Sequence, residues 1–355
     1  MRFVSNLLVI NYRMDTSDQV LSHQQGVVKG LSPYFSNVIV VTGFFDGGTL
    51  PENVRVYTSS WSPEQRIRSI FRFIRVLFSV FSNYEISSVF SHMASYRALL
   101  AAPFVWAKRL NHTVWYAHAS SSMHLKILNL FRVIFVSSTP ESFPRVHKLQ
   151  VKFIGQGISE RDFPFKYRDH YPCKRFVHLG RFDTSKRVDH LVSTIELLRT
   201  QDPDITFTNF GNSSTLANSI SASEIRLEFA NRDNSSWMTF SSAIGRMNVA
   251  DTLGEFDVFI HAFQGSLDKV LIEATMSGIP VITMNSGYCR IFGTWGNYAS
   301  NEMSLIEEIH AFSGKTEREI AQRLERSKEI AIKEHSEARW IHELTKIIIR
   351  NRDED

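Results

Sequence analysis

Two stretches of the 355-residue chain carry residue types suited to holding a phosphorylated group. The first is Phe176-Val-His-Leu-Gly-Arg-Phe-Asp-Thr-Ser-Lys-Arg-Val-Asp189. It reads as a strand, a tight turn at Gly180 and a helix, which sets Arg181 and Lys186 near the strand end. Two fixed cations there can neutralise a diphosphate. Asp183 or Ser185 could cap the helix, so part of the pattern is ordinary helix punctuation. The second stretch runs from Gly265 to Thr283, GSLDKVLIEATMSGIPVIT. A loop beginning at Gly265 and Ser266 follows the strand VFIHA and opens a helix, whose first N–H groups and dipole form an anion site. Glu273 lies about one and a half turns inside that helix, where its carboxylate can grip ribose hydroxyls. Taken alone, Glu273 could equally be an exposed helix residue.

Other candidates are more isolated. His118 ends the run TVWYAH and is placed to face a cleft, where it could position a sugar or share a proton with a hydroxyl. A lone His can also be structural, and His92, after ISSVFSH, is the weaker of the two. Asp202-Pro-Asp204 matches an acid-x-acid metal pattern only superficially, because it falls in a helix-to-strand connection. We expect no metal ligand set.

The elements that must position these residues are legible from alternation. NLLVINY, VIVVTG, VRVYTS, ISSVFSH, TVWYAH, VIFVSS and VKFIGQG read as strands of a first half. FVHLGR, ITFTNFG, MTFSSA, VFIHA and PVITMN read as strands of a second. Helical patterns lie between them at 19–32, 64–82, 94–109, 187–200, 247–255, 268–277 and 315–350. Near-continuous apolar strands alternating with helices predict parallel sheets covered on both faces, one per half. In such sheets ligands bind beyond the carboxyl ends of the strands, which is where the two phosphate-suited stretches fall. The length suits two domains. We expect an N-terminal domain over 1–163, a Pro-containing linker over 164–174, a C-terminal domain over 175–335, and a final helix over 336–355 that packs back on the N-terminal domain.

The paired motifs resemble those of the retaining family 4 glycosyltransferases of the GT-B fold (glycosyl transferases group 1). These enzymes carry a strand, Gly-Arg, a Lys a few residues later and a helix, then a helix ending in LEAMA-x-G-x-PVI. Here GRFDTSK and DKVLIEATMSGIPVIT stand in the same order, and the likeness extends back through KFIGQGISERDF and TVWYAH. The resemblance implies an α/β chain of GT-B type, with two Rossmann-like doubly wound domains facing across a cleft. It implies that Arg181 and Lys186 hold the diphosphate of a nucleotide-sugar donor and that Glu273 meets ribose or sugar hydroxyls. It gives His118 a role at the reacting sugar. Gly211 and Asn212 would flank the nucleotide, with the segment from Phe240 to Ile244 beside the base. One departure is that Gly265 stands where the commoner pattern has a second Glu. The loop is similar to a GSLDK variant, in which Asp268 and Lys269 fall within the loop, Lys269 adds a phosphate contact, and Ser266 and Leu267 approach the donor through their backbone. The opening MDTSDQVLSHQ resembles that of a subset of the family, so Asp15, Ser22 and His23 border the acceptor or, alternatively, belong to a capped, solvated helix.

The implied reaction moves a hexosyl group, with retention, from a nucleotide-diphosphate sugar to a saccharide or polyprenyl-linked acceptor in surface polysaccharide assembly such as lipopolysaccharide, with no cofactor. Alternatives are a nucleotide-sugar epimerase of the same fold or a non-catalytic nucleotide-sugar-binding subunit. Charge adds a further expectation. Residues 1–170 hold 19 Lys and Arg against 10 Asp and Glu, whereas the remainder holds 21 against 26. In the segment 64–81, Arg68, Arg72 and Arg75 fall in one narrow helical arc. Ile67, Ile70, Phe71, Ile74, Leu77, Phe78 and Phe81 share a wide opposite arc. A basic amphipathic helix of this kind can lie on an anionic membrane surface, or it can pack on the sheet with an arginine edge. Nucleic acid is disfavoured as a partner, because the aromatics are not borne on loops. Only two cysteines, Cys173 and Cys289, and neither a signal peptide nor a membrane span, point to a cytoplasmic protein associated peripherally with the inner membrane face.

Overall fold

A computed structural model describes residues 3–15, 23–62, 64–144, 150–213, 235–296 and 304–349, together with Ile220, Ser223 and Leu227. The chain divides into two compact units, one formed by Met1–Gly157 with Glu337–Asp355 and the other by Ile158–Ser336.

The first unit is built on a parallel sheet of seven strands in the order β3-β2-β1-β4-β5-β6-β7. They are β1 (Phe3–Ile10), β2 (Phe35–Thr42), β3 (Val54–Thr58), β4 (Ile86–His92), β5 (Asn111–Trp115), β6 (Ile134–Ser137) and β7 (Val151–Phe153). The central strands are apolar on both sides. Leu7 and Val9 pack with Val38 and Val40 under α1 (Gln24–Leu31), while Leu8 and Ile10 pack with Ile39 and Val41 under α2 (Arg66–Asn83) and α3 (Ser95–Ala107). This double burial is why these strands read as continuous hydrophobic runs. The short α4 (Met123–Asn129) adds Leu125 and Leu128 to the α3 side.

Helix α2 divides its apolar residues between core and solvent. Phe73, Leu77 and Val80 are buried, whereas Ile67, Phe71 and Phe78 are 72%, 69% and 55% exposed. The wide apolar arc expected from sequence is therefore only partly a packing face. Only one sheet underlies the helix, and its contact covers about a third of the helix circumference.

The second unit holds a five-stranded parallel sheet in the order β10-β9-β8-β11-β12. Its strands are β8 (Arg175–Leu179), β9 (Thr206–Phe210), β10 (Met238–Ser241), β11 (Val258–His261) and β12 (Val281–Thr283). One face is covered by α5 (Val188–Arg199), α9 (Leu305–Ser313) and the first half of α10 (Glu317–His335). The other is covered by α6 (Val249–Gly254), α7 (Lys269–Ser277) and α8 (Ser286–Phe292). Residues 164–174, expected to link the halves, lie within this unit. The Lys166 N–H donates to Ser277 O at 3.1 Å and Arg168 Nη1 to Phe256 O at 2.6 Å. Backbone and guanidinium groups that a free linker would leave to water are thus satisfied by the domain.

The continuous helical pattern over 315–350 is broken in the structure. Ser336 is extended (φ −63°, ψ 148°) between α10 and α11 (Glu337–Ile349). The Ile158 N–H takes His335 O at 2.8 Å, and Ile158 pairs with Ser336 as a bridge. The break lets α11 join the first unit, where Trp340, Ile341, Leu344 and Ile348 are buried with the β1–β2 core. Among the described residues no helix is long and apolar enough to cross a membrane.

Candidate functional site

The carboxyl ends of β8, β9 and β10 are laced together by backbone. The Gly180 N–H donates to Phe210 O and the Gly211 N–H to Ser241 O, both at 3.0 Å, and the Phe182 N–H donates to Asn212 O at 3.1 Å. A Cβ at Gly211 would overlap the Gly180 carbonyl, so only glycine permits this approach. Asn212 Oδ1 accepts from the Ala243 N–H at 3.3 Å, which ties the β10 exit loop to the same place. Ile244, half-buried on that loop, packs on the apolar cluster beneath. Gly180, Gly211, Asn212 and Ile244 thus share one end of the sheet.

After Gly180 the chain makes a 3₁₀ turn over Thr184–Lys186 before α5 begins, and Arg187 takes a left-handed conformation at φ 52°. That turn directs Lys186 inward. Its side chain is 7% exposed, its ammonium pairs with the Asp268 carboxylate, and it lies 4.0 Å from the centre of the Phe263 ring. Arg181 is 55% exposed and sits 3.4 Å from Asp183. The two cations expected from sequence are therefore both in the presence of carboxylates.

Asp268 has a second partner. His261 Nε2 lies 3.0 Å from the same Oδ2, and His261 Nδ1 lies 2.9 Å from Thr283 Oγ1. A carboxylate acceptor requires the proton on Nε2, which leaves Nδ1 to accept from the Thr283 hydroxyl. Burial alone would raise the Asp268 pKa. The His261 hydrogen bond and the Lys186 charge outweigh it and hold the carboxyl well below the usual range. Burial lowers the pKa of His261, against the pull of Asp268. His178, beneath it with ring centres 5.8 Å apart, is pushed down to about 3 by burial and by its histidine neighbour. Both imidazoles are neutral at pH 7.

The loop carrying Gly265, Ser266, Leu267 and Asp268 is pinned from behind. Asn285 Nδ2 points at the carbonyls of Phe263, Gly265 and Ser266 at 3.3, 3.1 and 3.2 Å, while its Oδ1 caps α8 through the Tyr288 N–H at 3.0 Å. Leu267 is buried, and Lys269 is half-buried at the first position of α7. Asp268 is the N-cap residue of α7 by position, yet its side chain makes no cap bond because Lys186 and His261 hold it. Glu273 is buried one turn further on and accepts from Arg246 Nη1 at 2.8 Å, with Asp162 3.5 Å from the same guanidinium. It is not the exposed helix residue that its position alone allowed.

Candidates in the first unit are more scattered. His118 is exposed, three residues past the end of β5, and its ring meets Tyr116 edge-on at 5.4 Å. His92 is buried, with Nδ1 2.8 Å from Gln24 Oε1, and its ring packs against His23 at 5.4 Å. It is a core residue of the α1 side. Asp15 pairs with Arg13 at 3.2 Å. Ser22 lies outside the described residues. In the second unit, Asp202 pairs with Lys174 and Asp204 donates its N–H to Asp202 Oδ1 at 3.2 Å, so this loop is self-contained. Among the described residues no group of three or more His, Cys, Asp or Glu is placed to hold a metal ion.

Sequence reasoning missed His178, His261, Phe263, Arg246 and Asn285. The strand-end rule could have found His261 and Asn285, since both sit at the exits of apolar strands. Nothing local marks Arg246.

Residues 173–313 match the sequence pattern of the family described as Glycosyl transferases group 1. No curated protein matches the chain. Among solved structures, a sucrose-phosphate synthase from Thermosynechococcus elongatus is similar with a TM-score of 0.73 at 14% identity, over 97% of this chain and 98% of that one. The Anabaena protein Alr3699/HepE in complex with UDP and glucose is similar with a TM-score of 0.69 at 13% identity, over 97% and 99%. A glycosyltransferase from Rickettsia africae is similar with a TM-score of 0.69 at 15% identity, over 98% and 100%. The chain thus has the α/β GT-B fold of two Rossmann-like units, and its second unit carries the glycosyl transferases group 1 pattern.

Proposed function

We propose that the protein is a metal-independent hexosyltransferase that uses a nucleotide-diphosphate sugar and retains the anomeric configuration. The observation that carries this reading is the Lys186–Asp268 contact, which joins the two phosphate-suited motifs across 82 positions at the carboxyl end of one sheet. Arg181, Lys186 and the N–H groups at the start of α7 offset the charge that develops on the departing diphosphate. Gly180 and Gly211 let the ends of β8 and β9 close against each other and so set the floor of the nucleotide site, while Glu273, steadied by Arg246, meets donor hydroxyls. Transfer with retention and no covalent intermediate needs the acceptor hydroxyl on the face the diphosphate leaves. We assign His118 to that acceptor side. A structural relative crystallised with UDP and glucose supports the choice of donor class.

The acceptor is a saccharide on a polyprenyl or similar lipid, in surface polysaccharide assembly at the inner membrane face. The support is α2, where exposed Ile67, Phe71 and Phe78 adjoin exposed Arg68, Arg72 and Arg75. Flotation with phosphatidylglycerol vesicles should recover the protein, and replacing Phe71 and Phe78 by Ser should abolish recovery. Absence of binding by the unaltered protein would remove the membrane from the proposal.

The donor reading is tested by a thermal-shift screen against UDP, GDP, ADP, CMP and their sugars in EDTA. Stabilisation by one nucleoside diphosphate, lost in Arg181→Ala and Lys186→Ala, is the expected result. Binding without transfer or donor hydrolysis would leave a non-catalytic subunit, and no stabilisation by any of them would overturn the reading.

A further inference from the structure

The first unit buries a cation that the proposed chemistry does not use. Arg97, in the first turn of α3, is 0% exposed. Its Nη1 donates to Asn11 O at 2.5 Å, while Nε and Nη2 have no hydrogen-bond partner. Asn11, also 0% exposed, has neither amide atom satisfied. The guanidinium is caged by aromatic rings, 4.8 Å from Tyr12, 4.7 Å from Trp61 and 5.9 Å from Phe73. Burial lowers its pKa to about 10, with the Tyr12 phenol opposing, so it remains charged at pH 7. Among the described residues no carboxylate forms an ion pair with it.

A charge buried without a counter-ion is costly, and aromatic faces return only part of the lost hydration. Four unsatisfied polar atoms on two residues joined by a hydrogen bond call for an explanation. Their position suggests one. In the strand order β3-β2-β1-β4-β5 the chain winds outward in opposite directions from β1 and β4. Asn11 directly follows β1 and α3 follows β4, so Arg97 stands at the switch point where open α/β sheets bind ligands. The N-terminus of α3 has no side-chain cap and no acidic residue in its first turn, and its dipole adds to the positive potential. Arg97 Nη2 occupies the room that a side chain at Gly43, after β2, would need.

Trp61 forms the roof. It is half-buried on the connection between β3 and α2 and meets Tyr96 edge-on at 5.9 Å. The preceding Ser60 has φ 46°, a left-handed conformation that costs a non-glycine residue about 1–3 kcal/mol. A half-buried ring that lies over an unsatisfied cation and directly follows a strained residue is suited to moving aside.

We propose that Arg97, with Asn11 and the N-terminus of α3, receives an oxyanion carried by the acceptor, a phosphate or a carboxylate, once Trp61 swings away. The guanidinium fork matches either group bidentately, and the Asn11 amide can donate to the third terminal oxygen of a phosphate or to the second lone pair of a carboxylate oxygen. Calling the ligand an acceptor rests on the transferase reading. The anion site itself does not.

The test is titration calorimetry on the full chain with glucose 6-phosphate, glucuronate, inorganic phosphate and glucose. One of the two sugar anions should bind and thereby name the group, with glucose silent. Arg97→Met, which fills the aromatic cage without charge, should weaken that binding by about 10-fold or more. It should leave the thermal shift by nucleoside diphosphate unchanged. Trp61→Ala should strengthen anion binding, and it carries the test if Arg97→Met does not fold. No binding by either sugar anion, or binding indifferent to both substitutions, would overturn the proposal. Arg97-dependent anion binding in a protein that ignores every nucleotide would keep the site and sink the transferase reading, so the two fail separately.

Discussion

Lys186 and Asp268 form an ion pair of which only 7% and 24% of the side chains remain exposed. The lysine assigned to the donor diphosphate is therefore neutralised before any ligand arrives. Its ammonium is held in place at the cost of competition between the carboxylate and the phosphate. Asp268→Asn should lower the stability of the ligand-free protein by about 3–5 kcal/mol, because a buried charge loses its partner. The further stabilisation by nucleoside diphosphate should exceed that of the unaltered protein, since the ligand then supplies the missing negative charge. Thermal melts with and without nucleotide check both halves, and a smaller nucleotide shift in Asp268→Asn would show that the carboxylate aids binding instead.

Stability should fall in mild acid. His178 is held down to about 3 and His261 is also lowered, both chiefly by burial. Between the ordinary imidazole value near 6.5 and the folded values, the unfolded chain binds protons that the folded chain refuses. Stability therefore rises with pH across that window and is fully present above it. The depressed Asp268 carboxyl adds a further loss below about pH 4. A Tm profile from pH 8 to pH 4 measures this, and His178→Phe should flatten the limb between pH 6.5 and pH 4. A profile unchanged by that substitution would show that His178 is not buried neutral.

Gly211→Ala should destabilise the second unit by about 1–3 kcal/mol or more and abolish the nucleotide shift. The added methyl meets the Gly180 carbonyl, which is backbone and cannot rotate away. A Gly265→Ala change is the contrast. There the neighbour is the Phe263 ring, which can turn, so the nucleotide shift should shrink rather than vanish.

Asn285 supports the 265–268 loop and caps α8. Asn285→Asp keeps the acceptor for the Tyr288 N–H and loses the donors to three carbonyls. Asn285→Ala loses both, at about 1–2 kcal/mol for the cap alone. If the loop positions the donor, the two variants should lose nucleotide affinity alike while Asn285→Asp melts lower at neutral pH, because it sets a buried carboxylate against three carbonyl oxygens. Equal affinity to the unaltered protein in both would mean that the loop holds its shape without Asn285.

All twelve expected strands are present. The central ones are buried on both faces and so apolar throughout, which is visible locally, whereas the edge strands β3, β7 and β10 are only partly buried. The helical period over 315–350 does not itself mark the break at Ser336, although the expected domain boundary falls at 335/336; the backbone there is extended and bridges Ile158. The missed helices α4, α8 and α9 are short, at seven, seven and nine residues, none longer than about two and a half turns.

Sequence alone determined the two alternating α/β halves, the turn at Gly180, the glycine at 211 and the start of α7 after the Gly265 loop. Each depends on residues within a few positions of one another. Tertiary structure decided that Lys186 meets Asp268, that Glu273 meets Arg246, that part of the α2 apolar arc faces solvent, and that Arg97 is buried without a counter-ion. Periodicity records which face of an element avoids water. It carries no record of what covers that face, and partners of a buried charge can stand anywhere along the chain that the fold brings within about 4 Å.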